Sequence, residues 1–156
     1  MSLFDINEIC RLYSKYEDCI DSEEFDNWVN LFADDANYKV IPRENYEKEL
    51  PLATLDLSSK GMMLDRIHGV RETIYHDPYY QRHVTSLPVI RQEDDNSVFC
   101  EANYAVFRTK LSEPSTVFNV GRYFDQIVEE GGALKFKSRT CVYDSEMIPN
   151  AIIYPI

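Results

Sequence analysis

Cysteine, glycine and long apolar runs are all scarce in this sequence. Its 156 residues include only 4 cysteines and 5 glycines. No two cysteines have a Cys-x-x-Cys spacing, and we expect the free, reduced thiols of a cytoplasmic protein. The glycines form no phosphate-binding loop, which argues against a nucleotide site. No segment approaches the roughly 20 apolar residues of a membrane span, and the first residues lack the basic start and apolar run of a signal peptide.

Positive charge is also in short supply. The chain has 16 Lys and Arg against 27 Asp and Glu, which gives a formal net charge of −11 at pH 7. Binding to a nucleic-acid backbone needs clustered cations that displace counterions, so we expect no nucleic-acid partner. An anionic membrane surface would repel the same charge, so we expect no membrane partner either.

Aromatic side chains, by contrast, are plentiful. The sequence has 11 Tyr and 8 Phe, and hydrophobic residues make up 44% of it. The length fits one domain, and the chain has no internal repeat, low-complexity tract or linker rich in Pro, Gly and Ser. We therefore expect residues 1–156 to form a single folded domain with an ordinary core.

The first half of the chain carries helical periodicity. Asp5 followed by Glu8 has the capping-box pattern, and apolar residues then recur at steps of three and four up to Ile20. Ser22 is the predicted cap of a second helix, whose apolar side runs from Phe25 to Phe32. We predict a turn at Asp34-Asp35, a short strand over Asn37–Ile41, a helical turn or loop over Glu44–Leu50, and a third helix from about Ser59 to Thr73.

The second half changes to the period of two that is typical of strands. In the last predicted strand, Phe136 is expected to face one side of the sheet and Arg139 the other. Gly121, in the strand before it, is a candidate bulge. The short turns permit only antiparallel neighbours. The predicted strands are His83–Arg91, Ser97–Leu111, Thr116–Val128 and Ala133–Tyr143.

The order of the elements, helices first and a meander of strands afterwards, predicts the α+β class. Strands longer than ten residues must twist and coil. We therefore predict N-terminal helices packed on a strongly curved, mostly antiparallel sheet, which forms a cone with a pocket at its wide end.

The sequence offers little for metal binding or for nucleophilic catalysis. A site of two histidines and one carboxylate could use His76, His83 and Asp77, but adjacent residues in an extended chain point apart, which makes the facial geometry poor. No His-x-His, His-Glu-x-x-His or Gly-x-Ser-x-Gly motif is present. We expect no metal site and no catalytic nucleophile in this chain.

A proton-transfer pair inside the cone is the sharper catalytic hypothesis. Asp34 or Asp35 with His83, or Tyr16 with His68, could act together if an apolar pocket brought them into contact. The chain would then be a stand-alone dehydratase or isomerase acting on a small molecule. The structural alternative is that the two aspartates cap a turn and His83 merely begins a strand.

Two kinds of segment are candidates for an interface. Arg43-Glu44-Asn45 and Arg82 are charged or polar and are either solvated loops or docking edges. The tail Ala151–Ile156 has no charged side chain, and exposing its large side chains would forgo about 1.5–3 kcal/mol for each one. This tail must pack, either on its own domain or into another subunit. Its candidate contact residues are Ile152, Ile153, Tyr154 and Ile156.

Several of these segments, taken in order, resemble the small (beta) subunit of bacterial aromatic-ring-hydroxylating dioxygenases. The resemblance runs over nearly the whole length of the chain. The sequence is most similar to small subunits of enzymes that act on salicylate, anthranilate or terephthalate. The segments that carry it are Asp26–Asp35, Tyr38–Tyr46, Gly61–Arg66, Tyr80–His83, Gly121–Asp125, Gly131-Gly132 and Val142–Ile156.

The resemblance implies a fold, partners and cofactors. The fold would be the cone shared with nuclear transport factor 2, scytalone dehydratase and ketosteroid isomerase. A large (alpha) subunit would hold a Rieske [2Fe–2S] cluster and a mononuclear iron, with this chain as a structural beta subunit that trimerises within an α3β3 hexamer. The complex would insert O2 into an aromatic, carboxylated ring. No cofactor and no catalytic residue carries over to this chain.

Overall fold

The computed structural model describes residues 4–149 and 151–156. The described residues form four helices and seven strands. Helices and strands are mixed up to Glu72, and only strands follow from Tyr79 onward. The helices are α1 Ile6–Asp21, α2 Phe25–Asn30, α3 Arg43–Glu47 and α4 Lys60–Glu72. The strands are β1 Phe32–Pro42, β2 Leu55–Leu57, β3 Tyr79–Thr85, β4 Val89–Glu93, β5 Ser97–Lys110, β6 Thr116–Glu130 and β7 Ala133–Tyr143.

The helices α1 and α4 confirm the predictions made from periodicity and caps. The Asp5 carboxylate caps α1 by accepting a hydrogen bond from the Asn7 N–H, at 2.9 Å. The Ser59 hydroxyl caps α4 by accepting one from the Met62 N–H, at 3.2 Å. Each cap satisfies an N–H that has no partner within its helix.

The connection between α1 and β1 differs from the prediction. Ser22 ends α1, its N–H donating to the Asp18 carbonyl at 2.9 Å, and it does not cap α2. Phe32 begins β1 instead of continuing α2, and the predicted turn at Asp34-Asp35 is wrong because both residues lie within that strand. The pairing of β1 with β7 shifts register between Phe32 and Asn37, so this stretch is an irregular strand whose aspartates point to solvent.

The sheet has the strand order β2-β1-β7-β6-β5-β3, and β4 also pairs with β5. Only the pairing of β1 with β7 is parallel among the strand pairs of the described residues, which confirms the mostly antiparallel sheet. The predicted single strand His83–Arg91 is instead β3 and β4. The break falls at residues 86–88, where Pro88 lacks the N–H that a ladder needs.

The strand β7 shows why simple alternation failed at its centre. The register with β6 shifts between Gln126 and Ile127, which face Ser138 and Phe136. Lys137 is therefore an extra residue on β7, and such a bulge reverses the inward and outward phase of the strand. As a result Phe136 and Arg139 both point into the interior, and the predicted outward position of Arg139 is wrong.

Gly121 is not the predicted bulge, because its pairing is regular on both sides. A Cβ atom at this position would lie 1.9 Å from the Val142 carbonyl oxygen. Glycine is needed here because the backbone of β7 passes too close for any side chain.

The sheet curves around the helices, which confirms the α+β cone. α1 contacts both β3 and β7, although β5 and β6 lie between those strands in the sheet. One helix can reach both only if the sheet wraps around it. None of the helices among the described residues is long and apolar enough to cross a membrane. The interior is filled by large side chains with less than 2% exposure, among them Trp28, Arg139, Tyr16, Tyr38, Tyr123, Phe32 and Phe136.

Candidate functional site

The centre of the cone holds a buried ion pair. The Arg139 guanidinium donates from Nε to Asp125 Oδ1 at 2.8 Å and from Nη2 to Oδ2 at 2.7 Å, and neither side chain is exposed. The Tyr13 hydroxyl also donates to Asp125. The bidentate geometry gives the pair both strength and a fixed orientation.

Aromatic rings surround the guanidinium on several sides. Its central carbon lies 3.8 Å from the ring centre of Tyr123, 4.1 Å from Tyr16, 4.2 Å from Phe136 and 4.7 Å from Tyr13. Burial disfavours the charged guanidinium, but the Asp125 carboxylate outweighs it and holds the pKa of Arg139 well above its usual range. The interior is thus a charged pair enclosed by rings, and these cation–π contacts are strongest when desolvated.

His83 has a carboxylate partner, but not one of those predicted. Its Nδ1 lies 2.6 Å from Asp21 Oδ1, and its backbone N–H donates to Asp21 Oδ2 at 2.9 Å. Asp35 instead points to solvent and pairs with Lys137 at 3.4 Å, and Asp34 pairs with Lys60 at 3.5 Å. The predicted pair of Asp34 or Asp35 with His83 is therefore not formed.

The second predicted pair is not formed either. Tyr16 is fully buried and donates its hydroxyl hydrogen bond to the Ile156 carbonyl oxygen, whereas His68 is exposed on α4. Burial raises the pKa of Tyr16 above its usual range. A hydroxyl that is buried, protonated and bound to a carbonyl is poorly suited to exchange protons with a solvent-exposed imidazole.

The residues present do not fit a metal centre. Among residues 4–149 and 151–156 there is no group of three His, Cys, Asp or Glu side chains that could hold a metal ion. The candidate set is dispersed: His76 Nε2 bonds the Tyr154 hydroxyl at 2.8 Å, His83 bonds Asp21, and Asp77 pairs with Lys110 at 3.7 Å. The four cysteines are free thiols, and burial raises the pKa of Cys100 and Cys141 to about 12.

The charged interface candidates lie on the surface. Arg43 begins α3 and pairs with Glu47 at 2.8 Å and with Asp144 at 3.4 Å. Glu44 pairs with Lys48 at 2.6 Å, and Asn45 donates to the Leu52 carbonyl at 2.8 Å. Beside them is a cleft of about 190 Å³ that Arg43 shares with β6 and β7.

Arg82 lies on the outer face of β3, within an apolar surface. Tyr80 and Val84 flank it on the same strand and are 78% and 57% exposed. Val117 on β6 is 59% exposed. An antiparallel sheet normally presents polar side chains on its solvent face, so an apolar one is a candidate contact surface.

The tail packs on its own chain. Ile152, Tyr154 and Ile156 are buried and Ile153 is half-buried. Arg66 donates from Nη2 to the carbonyl oxygens of Ile152 and Ile153, at 2.7 and 3.2 Å. The structure thus favours the first of the two alternatives that the sequence left open for this segment.

Sequence reasoning missed the residues that organise the interior, namely Asp21, Asp125 and Arg139. The turn at Gly131-Gly132 offered a partial signal for the Asp125–Arg139 pair, because a hairpin turn sets which residues of β6 and β7 face each other. Regular counting from the Glu130–Ala133 pair puts Ser138 opposite Asp125. The bulge moves Arg139 into that place, and a bulge cannot be read from alternation.

Comparison with known protein families identifies the family of this chain. The family model for the ring hydroxylating beta subunit matches residues 18–150. The chain belongs to this family. A beta subunit is one component of a multi-subunit oxygenase, so the partner of this chain is an alpha subunit.

Individual beta subunits resemble the chain over most of their length. The anthranilate 1,2-dioxygenase small subunit of Burkholderia cepacia is 28% identical over 149 residues, which cover 96% of this chain and 92% of the relative. The terephthalate 1,2-dioxygenase terminal oxygenase subunit beta 1 of Comamonas sp. is 27% identical over 153 residues, 97% and 99% of the two chains.

Solved structures agree with this family. A beta subunit of an aromatic-ring-hydroxylating dioxygenase from Novosphingobium aromaticivorans superimposes with a TM-score of 0.88 and 35% identity, covering 96% of this chain and 95% of that one. At the level of fold alone, a structure from the same organism described as a scytalone dehydratase gives 0.70 at 17% identity, covering 94% and 89%. The predicted cone fold is confirmed.

Proposed function

We propose that this chain is the non-catalytic beta subunit of a Rieske-type aromatic-ring-hydroxylating dioxygenase, one domain over residues 1–156 that acts in the cytoplasm. Its alpha subunit would carry the [2Fe–2S] cluster and the mononuclear iron. Three copies of each subunit would form an α3β3 hexamer, with the beta subunits associated as a trimer. The observation that carries this role is the filled interior, where a buried ion pair and aromatic rings occupy the place of a pocket.

A filled interior suits a scaffold better than an enzyme. A pocket enzyme needs a concave site with reactive groups turned towards it, whereas Asp125 and Arg139 here bind each other and turn their charges inward. A rigid interior holds the outer surfaces in fixed positions, which is what an assembly needs from a structural subunit. We therefore assign no catalytic residue to this chain.

The substrate class of the complex is proposed from its relatives. The names of the similar proteins give anthranilate and terephthalate as substrates, and both molecules are aromatic carboxylates. We propose an aromatic carboxylate for this oxygenase, with the ring oxidised in the alpha subunit.

The contact surfaces are proposed from exposure. Arg43, Glu44 and Asn45 on α3 and Arg82 on β3 would lie in contacts between subunits, together with the apolar surface beside Arg82. The tail would support such contacts indirectly, because it holds β1, α4 and β3 in fixed positions relative to one another. Its residues in this role are Ile152, Ile153, Tyr154 and Ile156.

The experiment is native mass spectrometry of the chain co-expressed with its alpha subunit, alongside the chain purified alone. We expect a hexamer of three alpha and three beta subunits from co-expression. The chain alone should form a trimer, contain no iron and show no turnover of aromatic carboxylates. If the isolated chain converted a small molecule, and His83→Ala abolished that activity, the scaffold role would be wrong.

A further inference from the structure

The main chain of Ile156, in the tail, is bound by buried side-chain hydroxyls, as a ligand is bound in a pocket. The hydroxyls of Tyr16 and Tyr38 both donate to the main-chain oxygen of Ile156, the second at 3.1 Å. The Ile156 N–H donates in turn to the Tyr38 oxygen at 2.8 Å, and the Cys141 Sγ lies 3.6 Å from the same main-chain oxygen. Ile156 itself has no exposed surface.

Aromatic side chains lie next to the two tyrosines that bind Ile156. The ring of Trp28 lies 5.3 Å from that of Tyr38 and 6.4 Å from that of Tyr16. The ring of Phe32 lies 6.1 Å from Tyr38 and 6.4 Å from Tyr16. Two O–H donors directed at one acceptor oxygen, with aromatic rings close to both donors, form the pattern of a small-molecule site.

The interior around Tyr16 also has more hydrogen-bonding capacity than the tail uses. His83 Nε2, the Tyr123 hydroxyl and Arg139 Nη1 are buried and have no hydrogen-bond partner among the described residues. The rings of His83 and Tyr123 lie 6.4 and 6.0 Å from that of Tyr16, and the Arg139 guanidinium carbon lies 4.1 Å from it. Buried polar atoms nearly always have partners, so these three atoms keep hydrogen-bonding capacity beside Tyr16 that the tail does not use.

The tail is tied to the rest of the molecule by an exposed connection. Asp144, Ser145, Glu146 and Met147 are exposed, with Met147 at 80%, and the described tail residues 151–156 pair with no strand. Side chains hold the segment instead, through Arg66 and through the stack of Tyr154 on Phe25 at 5.5 Å. Nothing in such an arrangement requires the tail to be covalently continuous with β7.

We propose that the cone interior beside Tyr16 and Tyr38 is a binding pocket whose tethered occupant is the tail segment 152–156. The pocket accepts a small aromatic molecule that carries a carboxylate or carbonyl oxygen, because two phenol donors meet one acceptor oxygen beside aromatic rings. The tail competes with that molecule by placing its own main-chain oxygen on the same donors. This inference goes beyond the scaffold role and does not depend on assembly with an alpha subunit.

The test separates the tail from the body without removing it during folding. A protease recognition site is placed in the exposed stretch Ser145–Met147, and the folded full-length protein is cut there. We expect the body to stay folded by circular dichroism and the tail peptide to leave on dilution and gel filtration. The body should then bind benzoate or benzamide at least about tenfold more tightly than the uncut protein by calorimetry, since the tail no longer competes.

Matched tyrosine variants identify the donors. Tyr38→Phe in the cut protein should weaken benzoate or benzamide binding by about fivefold, the loss expected for one hydrogen bond. Tyr80→Phe, a tyrosine on the outer face, should leave the affinity unchanged. Tight binding of benzoate alone would mean that the pocket selects carboxylates, and binding of both probes would mean that any acceptor oxygen suffices.

Three outcomes would overturn the proposal. Unfolding of the body once the tail has left would make the segment an ordinary part of the core. A folded body that binds neither benzoate nor benzamide would show that there is no pocket. Equal effects of Tyr38→Phe and Tyr80→Phe would place the probe elsewhere. Assembly with the alpha subunit is measured on the uncut protein, so the proposed function is judged separately from these outcomes.

Discussion

Two ion pairs in this protein have the same length and opposite surroundings. Arg139 Nε lies 2.8 Å from Asp125 inside the cone, and Arg43 Nε lies 2.8 Å from Glu47 on α3. The interior side chains have no exposure, whereas both surface side chains are 59% exposed. The distance between the charges alone therefore does not set how much an ion pair contributes to stability.

The physical difference is the solvent. Water and salt screen the surface pair, and holding two long side chains in one geometry costs entropy. In the interior nothing screens the charges, so each depends on the other, and removing one leaves an uncompensated buried charge. The interior pair therefore specifies how α1, β6 and β7 meet, while the surface pair does not.

Asp125→Ala should have the largest effect. The change leaves the Arg139 guanidinium buried without its carboxylate, and we expect the free energy of unfolding to fall by about 3–5 kcal/mol. Urea denaturation followed by circular dichroism measures this fall. The double variant Asp125→Leu with Arg139→Met should recover much of it, because no charge is then left buried. A single variant as stable as the parent would contradict our account of the interior.

Tyr13→Phe tests a second partner of the buried carboxylate. It removes the hydroxyl that donates to Asp125 but keeps the ring beside Arg139. We expect a loss of about 1.5–3 kcal/mol, the range for a hydrogen bond to a charged group. The same denaturation experiment applies. A loss as large as that of Asp125→Ala would mean that the Tyr13 hydroxyl matters as much as the whole carboxylate, and would contradict our account of the interior.

The thiols provide a third contrast between inside and outside. Burial raises the pKa of Cys100 and Cys141 to about 12, so both stay protonated in the folded protein at pH 8 and should react with a thiol reagent only after unfolding. Cys10 and Cys19 are partly exposed and should react first. Counting modified thiols by mass spectrometry distinguishes the two groups.

The raised values also give a pH dependence with a definite sign. Below the thiol pKa of an unfolded chain, about 8.5, both thiols are neutral in either state and cost nothing. As the pH rises from there towards 12, unfolding is favoured because it lets them ionise. Stability should therefore fall in alkali, and less steeply in Cys141→Ala than in the parent. A parallel fall in both would contradict this assignment.

Glu47→Ala should have the smallest effect. It removes the surface partner of Arg43, which keeps Asp144 and water as partners. We expect no resolvable change in the urea midpoint. A destabilisation comparable to that of Tyr13→Phe would erase the distinction between the two ion pairs.

Local patterns predicted most of the elements. The spacing of apolar residues and the caps at Asp5 and Ser59 placed α1 and α4, and alternation placed β5, β6 and β7, because these signals act within a few residues of the chain. Errors arose where a signal is not local. The bulge at Lys137 comes from pairing with β6, and the true partner of His83 is an aspartate 62 residues earlier.

Composition, periodicity and motif order are properties of the chain in one dimension, and they are enough to predict the α+β class, the curved sheet and the family. The folded structure was needed to show that Arg139 points inward, that Asp21 binds His83 and that the tail packs on its own chain. Burial and electrostatic pairing join residues far apart in the chain. Which charge becomes buried depends on how long strands slide and bulge against each other, and local spacing does not record that.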